Sequence, residues 1–116
     1  MNTPKLSITR AETNGSPTFL RLRGPLVMAT AAEFQTAMRD EKSHAVLLDF
    51  SEVPFIDSAG LGGMISIFLH YKQAGRNLSV AGMNEKCRAL MKMTNVENLF
   101  PSYASVDAAR ESFKKN

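Results

Sequence analysis

One short segment of the chain concentrates the residue types that carry chemistry: Phe55-Ile56-Asp57-Ser58-Ala59-Gly60-Leu61-Gly62-Gly63. It joins a polar loop to a run with helical periodicity, so Ser58 falls at a helix N-cap or in the first turn. There, backbone N–H groups lack intrahelical partners and the helix dipole is positive. Such a terminus accommodates anions, and a phosphoserine adds about 1.5 to 2 negative charges with acceptor oxygens for those N–H groups. The segment therefore suits reversible phosphorylation of Ser58. Asp57 is its acidic neighbour, and Gly60, Gly62 and Gly63 are read as keeping the adjoining surface low and open to a partner. Glycine is costly in a helix, up to about 1 kcal/mol relative to alanine. The bland alternative is that Asp57 or Ser58 only caps the helix and the glycines only permit close packing.

Other chemistry finds little support. A serine nucleophile on a strand-to-helix elbow has glycine two residues before it, and Ile56 stands there. His44 is expected at the start of a buried strand and His70 on the outer side of a helix, so neither is aimed at Ser58 as a base. The two histidines and the single Cys87 have no metal-ligand spacing. No phosphate-binding glycine loop with a following lysine occurs. The expectation is a protein that binds rather than catalyses, without a metal or cofactor.

The elements that position Ser58 follow from periodicity. Leu6 and Ile8, then Leu20 and Leu22, alternate around Asn14-Gly15-Ser16-Pro17, which reads as an antiparallel hairpin. Thr30-Ala31-Ala32-Glu33 has capping-box spacing and predicts a helix starting there, with Phe34, Ala37, Met38 and Glu41 at helical intervals. His44 to Phe50 is a continuous apolar run apart from Asp49, expected as a central strand covered on both faces. Leu61, Met64, Ile65, Phe68 and Tyr71 predict an amphipathic helix ending near Gly75. Leu78 to Gly82 reads as a strand, and Asn84 as the N-cap of a helix burying Cys87, Leu90 and Met91. A short strand within Phe100 to Tyr103 and a final helix capped by Ser105, with stripe Val106, Ala109 and Phe113, complete the pattern. On the helix after Asn84, Met91 is expected in the core. Met83 and Met93 are read as partner contacts, since methionine suits adaptable surfaces. Arg39, Lys42, Lys72 and Arg76 read as a solvated face.

Composition sets the frame. The 116 residues, 44% hydrophobic and 22% charged, fit one globular domain, 1–116, with a packed core. The net charge of +3 is scattered, which argues against nucleic acid. A lone cysteine, the absence of a signal-like start and apolar stretches well short of the roughly 20 residues of a bilayer span predict a cytoplasmic protein that does not enter the membrane.

These residues together resemble the STAS domain, named for sulfate transporters and anti-sigma factor antagonists. The likeness runs through Leu22-Arg23-Gly24-Pro25-Leu26, the Thr30-Ala31 helix start, Leu48-Asp49-Phe50-Ser51, Asp57-Ser58-Ala59-Gly60-Leu61-Gly62 and Leu78-Ser79-Val80-Ala81-Gly82. The resemblance implies an α/β fold with a STAS-like mixed sheet of about four to five strands and about four helices packed mainly on one face. It also implies that Ser58 is a phosphoacceptor in a partner switch, Asp57 its acidic neighbour and Gly60 part of the turn into the helix; with the residue readings above, the expected partner surface is Asp57, Ser58, Ala59, Gly60, Gly62, Gly63, Met83 and Met93. The unphosphorylated form would bind an ATP-using serine-kinase anti-sigma factor of the GHKL type, freeing a sigma factor or another client. Phosphorylation would end binding, and a PPM-type serine phosphatase would restore it. A monomer or weak dimer is expected. Two positions depart from the family pattern. Val27 stands where many antagonists carry aspartate, and Ala59 replaces the usual Ser or Thr, leaving Ser58 the motif's one hydroxyl. The alternatives are a STAS subunit of a phospholipid or other ABC transporter, and a nucleotide-binding or hydrolytic protein.

Overall fold

The computed structural model describes residues 3–11 and 17–114. Along the chain run β1 (Ser7–Ala11), β2 (Thr18–Arg23), α1 (Met28–Asp40), β3 (Ala45–Glu52), α2 (Ser58–Gln73), β4 (Asn77–Ala81), α3 (Glu85–Met93), β5 (Ser102–Tyr103) and α4 (Val106–Lys114). The strands lie in sequence order in one five-stranded sheet. β1 and β2 pair antiparallel, with Ile8 opposite Leu22, and every later neighbour is parallel. The expected hairpin is present, while its predicted turn at Asn14 to Ser16 lies outside the described residues.

Alternation along the strands divides the core in two. Leu20, Leu22, Val46, Leu48, Phe50, Leu78 and Val80 face one way and bury Phe34, Met38, Met64, Ile67, Tyr71, Cys87 and Met91 from α1, α2 and α3. Phe19, Leu47 and Ala81 face the other way, where α4 supplies Ala109 and the flanking Val106 and Phe113. β3 is thus the central strand with helices on both sides. α4 covers only part of its face, since further along the same side the sheet carries a charged ladder. Arg21 donates to the buried Asp49 at 3.3 Å, Arg23 donates to Glu52 at 2.9 Å, and Ser51 donates to Asp49 through both its backbone N–H and its hydroxyl.

Three expectations are corrected. The first helix begins at Met28 rather than Thr30. Thr30 is its third residue, and the buried Thr30 Oγ1 accepts from the Val27 N–H at 2.9 Å while donating to Pro25 O at 2.9 Å. The threonine closes the turn from within instead of opening it. On α2 the buried set is Leu61, Met64, Ile67 and Tyr71, with Ile65 and Phe68 only half-buried, because the helix is covered from more than one direction. Arg76 is no solvated charge. Its guanidinium donates to Glu41 O at 2.7 Å and Ser43 O at 2.8 Å and lies 3.9 Å from the centre of the Tyr71 ring.

Candidate functional site around Ser58

α1 and α2 start side by side at the C-terminal end of the sheet, and one side chain organises both starts. Asp57 has extended backbone and is the N-cap of α2, with Oδ1 accepting from the Gly60 N–H at 2.8 Å. Its Oδ2 accepts from the Met28 N–H, the first of α1, at 3.1 Å. Val27, the N-cap of α1, has no side-chain acceptor, so the carboxylate of Asp57 satisfies an otherwise free donor of the neighbouring helix. Main-chain bonds fix the distance between the two starts: Leu26 N–H donates to Phe55 O at 3.1 Å, and Asp57 N–H donates to Leu26 O at 3.2 Å.

Gly60 makes this closeness possible. A Cβ there would stand 2.0 Å from Leu26 O, so only glycine lets α2 approach the turn into α1. Gly24 serves the same turn. It has φ of +111°, and a Cβ would meet Lys5 O at 2.1 Å. The reading of all three motif glycines as an open docking face is therefore corrected. Gly60 and Gly63 are buried, Gly63 against Gln35 and Ala31 of α1, and only Gly62 borders open space.

With Asp57 acting as the cap, Ser58 is released from that duty. It is the first residue of α2 and exposed, and its hydroxyl makes no hydrogen bond among the described residues. The Ser58 and Ala59 N–H groups also lack partners there, so the helix start offers two free donors beside the hydroxyl. Ala59 is half-buried.

Two surface residues that sequence reasoning missed flank this point. Met28 is 77% exposed and is bonded through its N–H to Asp57, and Phe55, 46% exposed, lies two residues before Asp57. The signal for Phe55 was an aromatic residue in a polar loop after proline. Met28 gave none, because its position became a helix start only through the fold. Of the expected methionine contacts, Met93 is 79% exposed near the end of α3, whereas Met83 is partly buried against the core. α3 is anchored to the loop that leads into α2, since Asn84 Nδ2 donates to Pro54 O at 3.0 Å and Asn84 Oδ1 caps the helix at the Cys87 N–H.

His44 is exposed at the opposite end of β3, and His70 lies 12 residues along α2 from Ser58, an axial rise of about 18 Å. Neither reaches the Ser58 hydroxyl. Cys87 is fully buried, and burial pushes its thiol pKa up, which keeps it in the unreactive form. Among the described residues no group of three or more His, Cys, Asp or Glu side chains is arranged to hold a metal ion, and no helix is long and apolar enough to cross a membrane.

Comparison with known proteins agrees with this architecture. The chain is 28% identical over 83 residues to the anti-sigma-B factor antagonist of Staphylococcus epidermidis, covering 69% of this chain and 77% of that one. The solved anti-sigma factor antagonist of Mycobacterium paratuberculosis superposes with a TM-score of 0.79 at 20% identity, covering 95% of each chain. A sulfate transporter family protein from Wolinella succinogenes superposes with a TM-score of 0.73 at 18% identity, over 84% of each chain. The family model of the STAS domain matches residues 9–109, and with its five-stranded mixed sheet, four helices and the Asp57-Ser58 helix start, the chain belongs to the STAS domain family.

Proposed function

We propose that this protein is an anti-sigma factor antagonist that works by partner switching, with Ser58 as the switch. The observation that carries the reading is the division of labour at the start of α2: Asp57 caps the helix, and the exposed Ser58 hydroxyl is left without a structural bond. A residue that does not hold the fold together accepts a phosphate without unfolding it. Ser58 is also flanked by exposed Met28 and Phe55, the apolar contact area that a protein partner requires near its centre.

In this reading the unphosphorylated chain docks this surface on an ATP-using serine-kinase anti-sigma factor of the GHKL type and frees its sigma factor or client. The kinase transfers phosphate to Ser58, and a PPM-type phosphatase reverses the step. The added charge lies beside the Asp57 carboxylate and among apolar contacts, so it brings like-charge repulsion and desolvation into the interface. A hundredfold loss of affinity needs only about 2.8 kcal/mol. The chain itself is a non-catalytic, cytoplasmic component that carries no cofactor.

The test measures binding of wild type, Ser58→Ala and Ser58→Asp to kinase-type anti-sigma factors of the source genome, with and without ATP. Wild type is expected to bind, become phosphorylated on Ser58 and dissociate. The alanine variant should stay bound, and the aspartate variant should bind at least tenfold more weakly. Capture by a transporter ATPase regardless of Ser58, with no kinase binding, would replace the antagonist reading with that of a constitutive transporter subunit.

A further inference from the structure

The sheet is unfinished on its β5 side, at the end away from Ser58. β5 pairs with β4 only at Val80 and Ala81. Val80 N–H donates to Pro101 O and Gly82 N–H to Tyr103 O, so by the two-residue period of a strand the amide and carbonyl of Leu78 face the same side, beyond the reach of β5. Beside this edge, which no strand covers among the described residues, lies a cavity of about 380 Å³, walled by Phe68 of α2, Leu78, Pro101, Tyr103 and Phe113 of α4. Its size falls in the range of small-molecule sites.

The polar groups that line this cavity share one electrostatic character. Lys72 and Arg76 stand in its wall, and among the described residues that line it none is acidic. Neither cation makes an ion pair among the described residues. Arg76 uses Nε and one terminal nitrogen on the Ser43 and Glu41 carbonyls, which leaves Nη1 without a partner there. Ser79 also lines the cavity. Its side chain points to the α4 face of the sheet, as that of its register partner Leu47 does.

We propose that this cavity binds a small amphipathic anion, with its apolar body against Phe68, Leu78 and Phe113 and its anionic group held by Lys72 and the free edge of Arg76. The site is separate from the Ser58 surface. The two lie at opposite ends of α2, about 21 Å apart along its axis from Ser58 to Lys72.

Titration of isotope-labelled full-length protein with sodium octanoate, followed by NMR, tests the assignment. Octanoate is expected to shift the Leu78, Ser79, Tyr103 and Phe113 resonances saturably while those of Ser58 and Ala59 stay in place. Octanol should bind at least fivefold more weakly, as should acetate. Lys72→Glu, a change at an exposed position, should weaken octanoate at least fivefold. Absence of saturable shifts at Leu78 and Ser79 would overturn the site. A smaller difference for octanol or for Lys72→Glu would overturn the anionic half of the assignment, and one for acetate would overturn the apolar half.

Discussion

α1 and α2 begin together and end together, but the two ends are joined in different ways. At their starts a single half-buried carboxylate, Asp57, serves both helices, and beside it the Ser58 hydroxyl stays free. At their ends the joint is buried and multiply bonded. Tyr71 Oη donates to Met38 O at 2.8 Å, and Arg76 clamps the carbonyls of Glu41 and Ser43. The buried Glu41 carboxylate closes the cluster by accepting from Ser43 Oγ at 2.6 Å and from Arg10 at 2.7 Å. Several side chains lock the ends, whereas one side chain and two main-chain bonds join the starts and leave the Ser58 hydroxyl free in solvent. In the proposed function, a phosphate on that hydroxyl would add charge where no bond of the fold is lost.

The largest effect is expected where the first joint is narrowest. Gly60→Ala drives a Cβ into Leu26 O, and should destabilise the protein by about 3 kcal/mol in denaturant unfolding while separating the two helix starts. Asp57→Ala removes the cap of both helices, for about 2 kcal/mol, and Asp57→Asn should recover part of that because its amide keeps one acceptor oxygen. If Asp57→Ala were neutral in the same assay, the shared cap would not be what holds the starts together.

The second joint is tested by Tyr71→Phe, which keeps the ring and strands Met38 O, at a cost of about 1 to 2 kcal/mol. Acid sharpens the contrast further. Burial alone would raise the Glu41 pKa, but the Ser43 hydroxyl and N–H and the Arg10 guanidinium outweigh it and hold it below its ordinary value. A carboxylate depressed in the folded state contributes stability above its unfolded pKa and loses it as pH falls through the folded one. Glu41→Gln should therefore flatten the acid limb of the stability profile below about pH 4.5, measured by thermal unfolding across pH.

The smallest effect has the opposite sign. Gly62 borders open space on the exposed side of α2, so Gly62→Ala should stabilise by up to about 1 kcal/mol. Paired with Gly60→Ala, it separates a glycine required by a close approach from one that structure does not require. Loss of partner binding in Gly62→Ala without loss of stability would assign Gly62 to the docking surface.

The element order was legible because each signal was local. Asn84 and Ser105 cap their helices as their positions predict, accepting from the Cys87 and Ala108 N–H groups. The β3 run reads as a central strand because both faces are apolar over Val46 to Leu48. Thr30 misled because its hydroxyl does bond in a helix start, but from the third position toward the chain before it. Arg76 misled because an arginine reads as surface unless the carbonyls it will meet, more than thirty residues away in sequence, are known.

The sequence by itself therefore determined the strands, the helices, the family motif and the placement of Ser58 at a helix start. These follow from periodicity, capping and glycine positions within a few residues of one another. Only the tertiary structure decided that Asp57 caps two helices, that Gly60 faces Leu26 while Gly62 faces solvent, and that Met28 and Phe55 stand beside the serine. Each of these depends on where the α1 turn sits against the α2 turn, roughly thirty residues away in the chain. That relation is set by sheet register and helix packing, which no local pattern encodes.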